Sequence, residues 1–128
     1  MTAMQLRFLG KDSTPTNSPT LYATDEGSYI VQGWVVTDPE ILSRLNVSEG
    51  ETLVEVPPRL MAHLAKDGLS GEVGNLVSPV AHVKDNGNYI IKAARVTDPG
   101  TLAQMKVPDH ETCVEVASSA MAALLVGQ

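Results

Sequence analysis

Short stretches of alternating apolar and polar residues run along this chain, each closed by Gly, Pro, Asn or Asp. From Tyr29 to Val36, and again from Tyr89 to Val96, β-branched and aromatic residues predict longer strands. Ser18 to Thr24 and Ser78 to Lys84 read as shorter strands with a Pro at the edge. The links between them, Asp25-Glu26-Gly27 and Asp85-Asn86-Gly87, carry hairpin-turn chemistry, because Gly and Asn accept the positive φ of such turns. Thr37-Asp38-Pro39 predicts a helix start, a capping side chain followed by a first-turn Pro. That short helix is expected to turn Leu42 and Leu45 inward, and its later counterpart Leu102 and Met105. Turns at Ser48–Gly50 and Pro108–His110 lead to strands Thr52 to Val56 and Thr112 to Val116, with Val54 and Val56 on one face and Glu55 on the other. Closing helices follow: Pro57 to Lys66 with Leu60, Met61 and Leu64 apolar, and Ser118 to Val126 with Met121, Leu124 and Leu125. A further strand, Gln5 to Leu9, is expected to cover an otherwise open sheet edge.

The pattern occurs twice. Shifted by 60 residues, Gly27-x-Tyr29-Ile30 falls on Gly87-x-Tyr89-Ile90 and Val36-Thr-Asp-Pro39 on Val96-Thr-Asp-Pro99. Glu51-Thr52-x-Val-Glu-Val56 falls on Glu111-Thr112-x-Val-Glu-Val116, and Met61-Ala62-x-Leu64 on Met121-Ala122-x-Leu124. Without a gap, 20 of the 48 positions in 18–65 and 78–125 are identical, where chance gives about three. The chain is a tandem duplication of a ββαβα unit. Residues 1–66 form the first repeat with its leading strand, 67–77 a glycine-containing linker and plausible hinge, and 78–128 the second repeat. Two such halves pack most simply about a pseudo-twofold axis, as a single-chain version of a homodimer. The expected fold is α+β, with a mixed or antiparallel sheet or barrel and short helices, in one compact unit.

Composition narrows the function. Hydrophobic residues make up 43% of the chain, enough for a real core, and the net charge of −6 argues against broad contact with phosphate backbones. Cys113 is the only cysteine, which rules out an intramolecular disulfide and fits a reducing compartment. The N-terminal stretch lacks the apolar core of a signal peptide, and no apolar run approaches the roughly 18 residues of a membrane span. A cytoplasmic location without membrane contact is the expectation.

Residues shared by both repeats read as scaffold, so functional asymmetry is sought where they differ. Over the aligned copies, residues 18–65 carry seven acidic and two basic residues, and residues 78–125 five and four. On the long strands, Gln32-Gly-Trp-Val35 is replaced by Lys92-Ala-Ala-Arg95, and Trp34 is the chain's only tryptophan. Gln32, Trp34, Lys92 and Arg95 are therefore the candidate partner-contact residues. The competing reading has Trp34 capping the core beneath a helix.

Other chemistry finds less support. Asp38 and Asp98 suggest a carboxylate dyad on a pseudo-twofold, but each precedes Pro and reads as a helix cap. His63, His82 and His110 lack helical i, i+4 spacing, and the consecutive Asp109-His110-Glu111 cannot easily aim three side chains at one ion. Cys113 aligns with Leu53 and reads as an apolar strand position. Glu55 and Glu115 read as solvated strand residues, Ser13 to Ser18 as a polar loop. There is no phosphate-cradling loop. No catalytic set, metal site or cofactor is implied.

Two resemblances add to this. The run Leu21-Tyr-Ala-Thr-Asp-Glu-Gly-x-Tyr-Ile-Val-Gln-Gly-Trp-Val-Val-Thr-Asp-Pro-Glu40, with Glu51-Thr-Leu-Val-Glu-Val-Pro57, resembles small uncharacterised actinobacterial proteins. Those are similar to accessory domains of unknown function encoded beside helix-turn-helix regulators. The resemblance implies a regulatory or antitoxin-like protein, with a helix-turn-helix regulator as its partner. Gly33-Trp-Val-Val-x-x-Pro-x-x-Leu-x-x-Leu45, with Ser48-Glu-Gly-Glu-Thr-Leu-Val-Glu-Val56, is similar to the swapped-hairpin family of AbrB and MazE. It departs from that pattern in its spacing around Pro39, in Ala93 where the second repeat lacks the Gly, and in its few basic residues.

The leading expectation is a non-enzymatic adaptor or regulator that binds another protein. The alternatives are an AbrB-like DNA-binding regulator using Lys92, Arg95 and Lys106, and a small-molecule binder or small biosynthetic enzyme with a pocket at the repeat junction near Trp34.

Overall fold

A computed structural model of the chain describes residues 5–11, 19–69, 71–74, 77, 79–105 and 111–126. It is an α+β fold in which seven antiparallel strands form one sheet and a second sheet holds two short strands. In chain order the elements are β1 (Leu6–Lys11), β2 (Thr20–Thr24), β3 (Ser28–Val35), α1 (Pro39–Leu45), β4 (Glu51–Val56) and a 3₁₀ helix, η1 (Pro58–Asp67). Then come β5 (Glu72–Val73), β6 (Val80–Val83), β7 (Tyr89–Arg95), α2 (Pro99–Leu102), β8 (Glu111–Ala117), α3 (Ser118–Leu124) and β9 (Leu125–Val126).

The local elements follow from the residues named above. Gly27 and Gly87 hold φ of 76° and 89° in the hairpin turns, a conformation that is strained for a side chain with a Cβ. Asp38 caps α1 by accepting the Glu40 amide at 2.9 Å, and Asp98 caps α2 by accepting the Thr101 amide at 2.9 Å and its hydroxyl at 2.7 Å. Each cap is followed by Pro at the first helical position, where the missing N–H has no helical partner to lose. Helix α1 ends at Asn46, which takes the left-handed conformation with φ of 45°.

The strands close on themselves. β3 pairs along its length with β8, β4 with β7, and the ends of β3 and β7 complete the cycle by pairing with β4 and β8. The registers recur at the 60-residue offset. Trp34 lies opposite Glu55 and Ala94 opposite Glu115; Tyr29 lies opposite Val116 and Tyr89 opposite Val56. Outside this ring β2 extends β3, with β1 beyond it, and β6 extends β7. Each inter-repeat strand pair thus carries residues from both copies, and the two repeats share one sheet.

Positions alternate between the inside and the outside of the ring. Inside, Leu21, Tyr29, Val31, Val54, Val56, Ile91, Val114 and Val116 join Leu60, Met61 and Leu64 of η1 and Met121 and Leu124 of α3 in the main core. Burying an aliphatic side chain this fully contributes about 1.5–3 kcal/mol. Outside, α1 covers Leu53 and Ile90 with Val36, Ile41 and Leu45, and the segment containing α2 covers Ile30 and Cys113 with Val96, Met105 and Leu102.

Several expectations are corrected. In α1 the buried residue is Ile41, with Leu45 one turn on packed beside it, and Leu42 is exposed, although the helix starts at Pro39 as expected. Residues 125–126 leave α3 to form β9, which pairs with β5, so the linker is tied to the end of the second repeat and is a poor hinge. The closing element of the first repeat is a 3₁₀ helix. Ser18, Ser78, the loop from Ser13 to Ser18 and the turn Pro108–His110 lie outside the described residues.

Candidate functional site

Gln32, Trp34, Lys92 and Arg95 sit on the two strands β3 and β7, and the structure separates them. Gln32 points outward from the ring but is covered, only 3% exposed, and its amide donates to Glu111 Oε1 at 2.7 Å. Glu111 is 5% exposed. The pair is a buried polar bond between repeats, so Gln32 is a structural residue and unsuited to partner contact. Lys92, at the matching position, reaches the C-terminus of α1 and donates to the Leu45 carbonyl at 3.1 Å, where a cation also suits the helix dipole. Lys92 therefore holds α1 against the ring.

Trp34 is placed differently. It faces outward, half-exposed, in a cross-strand row that runs Glu111, Trp34, Glu55, Ile90, His82. Among the described residues it joins none of the three apolar clusters. The matching row is Glu51, Ala94, Glu115, Ile30, Tyr22. An Ala suffices there for the same backbone pairing. Arg95 ends β7, is exposed, and borders a cavity of about 410 Å³ with Leu102, Met105, Thr112 and Cys113. Burial pushes the Cys113 thiol up to about 11, which leaves it protonated and inert at neutral pH.

The residues that sequence reasoning missed are polar ties across the repeats. Glu55 accepts Lys84 Nζ at 3.0 Å and the Asn88 side-chain amide at 2.8 Å. Glu115 accepts the Ser28 hydroxyl at 2.7 Å. Both glutamates are bonded, half-buried groups, which corrects their reading as solvated. Ser28 and Asn88 occupy matching positions, so one tie is made in both halves with different donors. The repetition of Glu55 and Glu115 was the available signal. Asp67 accepts the Tyr29 hydroxyl at 2.5 Å and also pairs with Arg7, fastening η1 to β1 and β3.

No group of three metal-capable His, Cys, Asp or Glu side chains occurs among the described residues, and His110 and Lys106 lie outside them. Among the described residues no helix is long and apolar enough to cross a membrane. Comparisons with protein-family models, curated proteins and solved structures find no match to this chain.

Proposed function

We propose that this chain is a non-enzymatic adaptor or regulator that binds another protein, built as a single-chain pseudo-dimer of two ββαβα repeats. The pseudo-twofold reading is supported by strand registers that recur at the 60-residue offset around the ring. The observation that carries the functional reading is Trp34. A large, half-exposed aromatic stands where the other repeat keeps Ala94, and among the described residues no core cluster includes it. Tryptophans at such positions are frequent anchors of protein interfaces. The resemblance to accessory proteins encoded beside helix-turn-helix regulators makes such a regulator the first partner to try.

The test is affinity capture of the tagged protein from native lysate, with and without nuclease, beside a Trp34→Ala variant. A stoichiometric protein that survives nuclease and is lost with Trp34→Ala is the expected result. Companions that vanish with nuclease would favour the swapped-hairpin DNA-binding reading, which draws support from strands of opposite repeats interleaving in one ring. That reading also requires affinity that falls steeply with salt. No companion at all would shift weight to the cavity beside Arg95 as a small-molecule site.

A further inference from the structure

The two hairpin turns differ at a position where the difference is chemical. Asp25-Glu26-Gly27 in the first repeat is matched by Asp85-Asn86-Gly87 in the second. An asparagine that precedes a glycine can cyclise: the glycine amide nitrogen attacks the side-chain Cγ, and glycine, lacking Cβ, leaves that approach open. The turn brings the reacting groups together. Asn86 is exposed, and its Oδ1 accepts the Asn88 amide at 3.0 Å, which folds the side chain back across the Gly87 peptide. The same bond puts an N–H donor on the oxygen where negative charge gathers during attack, as an oxyanion donor does. Gly87 holds φ of 89°, and among the described residues no atom beyond its chain neighbours comes within 4 Å of where a Cβ would stand. One bond opposes the reaction. The Gly87 amide donates to the Lys84 carbonyl at 2.8 Å, so the turn must open before that proton leaves. Asn46 and Asn88 precede Val47 and Tyr89, whose side chains shield the amide that would attack.

We propose that Asn86 is a site of covalent self-modification, converting with time through a succinimide to isoaspartate and aspartate. Base takes the Gly87 amide proton and the nitrogen bonds to Asn86 Cγ. The Cγ–Nδ2 bond then breaks, and ammonia leaves with a proton from solvent. Water opens the ring at either carbonyl: attack at Cγ gives aspartate, and attack at the backbone carbonyl gives isoaspartate, with the chain running through Cγ. The net change replaces NH2 by OH, with no oxidation or reduction. Either product adds a negative charge beside Asp85 to a chain whose net charge is already −6. Isoaspartate also lengthens the backbone of the turn by one atom. Across that turn the Lys84 amide bonds the Asn88 carbonyl at 2.9 Å, and Lys84 Nζ and the Asn88 side-chain amide both bond Glu55, at 3.0 and 2.8 Å. A longer turn shifts these two residues against each other, so the modification loosens the hold of the β6–β7 hairpin on β4. The first repeat keeps its turn, because the ionised carboxylate of Glu26 is a poor target for an amide nitrogen. None of this requires a partner at Trp34.

The full-length chain is incubated folded in mildly alkaline buffer, beside a portion unfolded in guanidinium chloride. Both are followed by peptide mass mapping and by enzymatic methylation of isoaspartate. Asn86 should gain the mass of the NH2-to-OH exchange, with isoaspartate exceeding aspartate. The folded chain should react more slowly than the unfolded one, because the Lys84 carbonyl holds the attacking amide. Asn86→Gln, which would have to close a larger ring, should lose the product. In the modified chain, amide exchange at Lys84 should quicken about tenfold, as for one weakened hydrogen bond. The proposal is overturned if Asn86 stays intact in the folded chain while the unfolded chain reacts there. Alteration only at Asn17, Asn46, Asn75 or Asn88, or isoaspartate within residues 84–88 that persists in Asn86→Gln, would overturn it as well. Unchanged exchange at Lys84 in the modified chain would refute the loosening of the hairpin.

Discussion

Gly33 lies where β3 changes partners, from β2 at Gln32 to β4 at Trp34. A Cβ built there would meet the Glu55 carbonyl oxygen at 2.6 Å, Val56 Cγ1 at 2.7 Å and Val54 Cβ at 3.2 Å. Two of these are fixed by the backbone of β4, so Gly33→Ala must push the strands apart at their junction. Overpacking of this kind costs about 1–3 kcal/mol, offset in part by about 0.4–1 kcal/mol from the stiffer unfolded chain. A net loss of about 1–2 kcal/mol is expected. The entropy of unfolding is about 2.1 cal/mol/K per residue, or about 0.27 kcal/mol/K for this chain, so Tm should fall by about 4–7 °C. Differential scanning calorimetry reads this directly. The second repeat supplies the control, because Ala93 already carries a Cβ at the matching position. Ala93→Gly should cost the backbone-entropy difference, about 0.5–1 kcal/mol, beside the loss of a methyl packed against the main core. An unchanged or raised Tm for Gly33→Ala would refute the tight junction between β3 and β4.

The buried Cys113 thiol, raised to about 11, should react with iodoacetamide at pH 8 about a hundredfold more slowly in the folded than in the urea-unfolded protein; equal rates would contradict its burial. The same shift has a sign for stability. The folded value lies above the unfolded one, so the contribution is complete below pH 9 and is lost as pH rises toward 11, visible as a falling urea midpoint. Asp98 behaves oppositely: the Thr101 hydroxyl and amide hold its carboxyl below the ordinary value, so its contribution is lost only as pH falls through the lowered value. Thr101→Val should raise the Asp98 titration midpoint in an NMR pH series. Tyr29→Phe removes the hydroxyl that bonds Asp67 and should cost about 1 kcal/mol in urea unfolding.

What was legible in the residues was whatever both repeats preserved. The hairpin glycines, the Asp-Pro helix starts and the Val-Glu-Val strands each signal locally, and duplication reads them twice. The closure of the ring was hidden, because pairing of β3 with β8 joins residues about eighty positions apart through backbone groups that carry no residue identity. The side-chain errors have a common cause. Adjacent apolar residues Ile41 and Leu42 leave the buried face of α1 open, because a helix start does not say which side meets the sheet. Gln32 and Lys92 looked like surface residues because outward positions on a strand are solvated only where nothing covers them. Here the α2 segment and α1 lie over those outer faces, so both polar groups hold one part of the fold to another. A difference between repeats therefore marks either a changed internal bond or a changed surface, and composition cannot separate the two. Trp34 against Ala94 is the case for which the described residues give no internal explanation. Val83 against Ala23 is a difference in strand pairing: β1 pairs with β2, and among the described residues β6 pairs with β7 alone. Trp34 is a feature that the other repeat does not need for folding, which is why a partner is sought first there and not at Gln32 or Lys92, which bond within the fold.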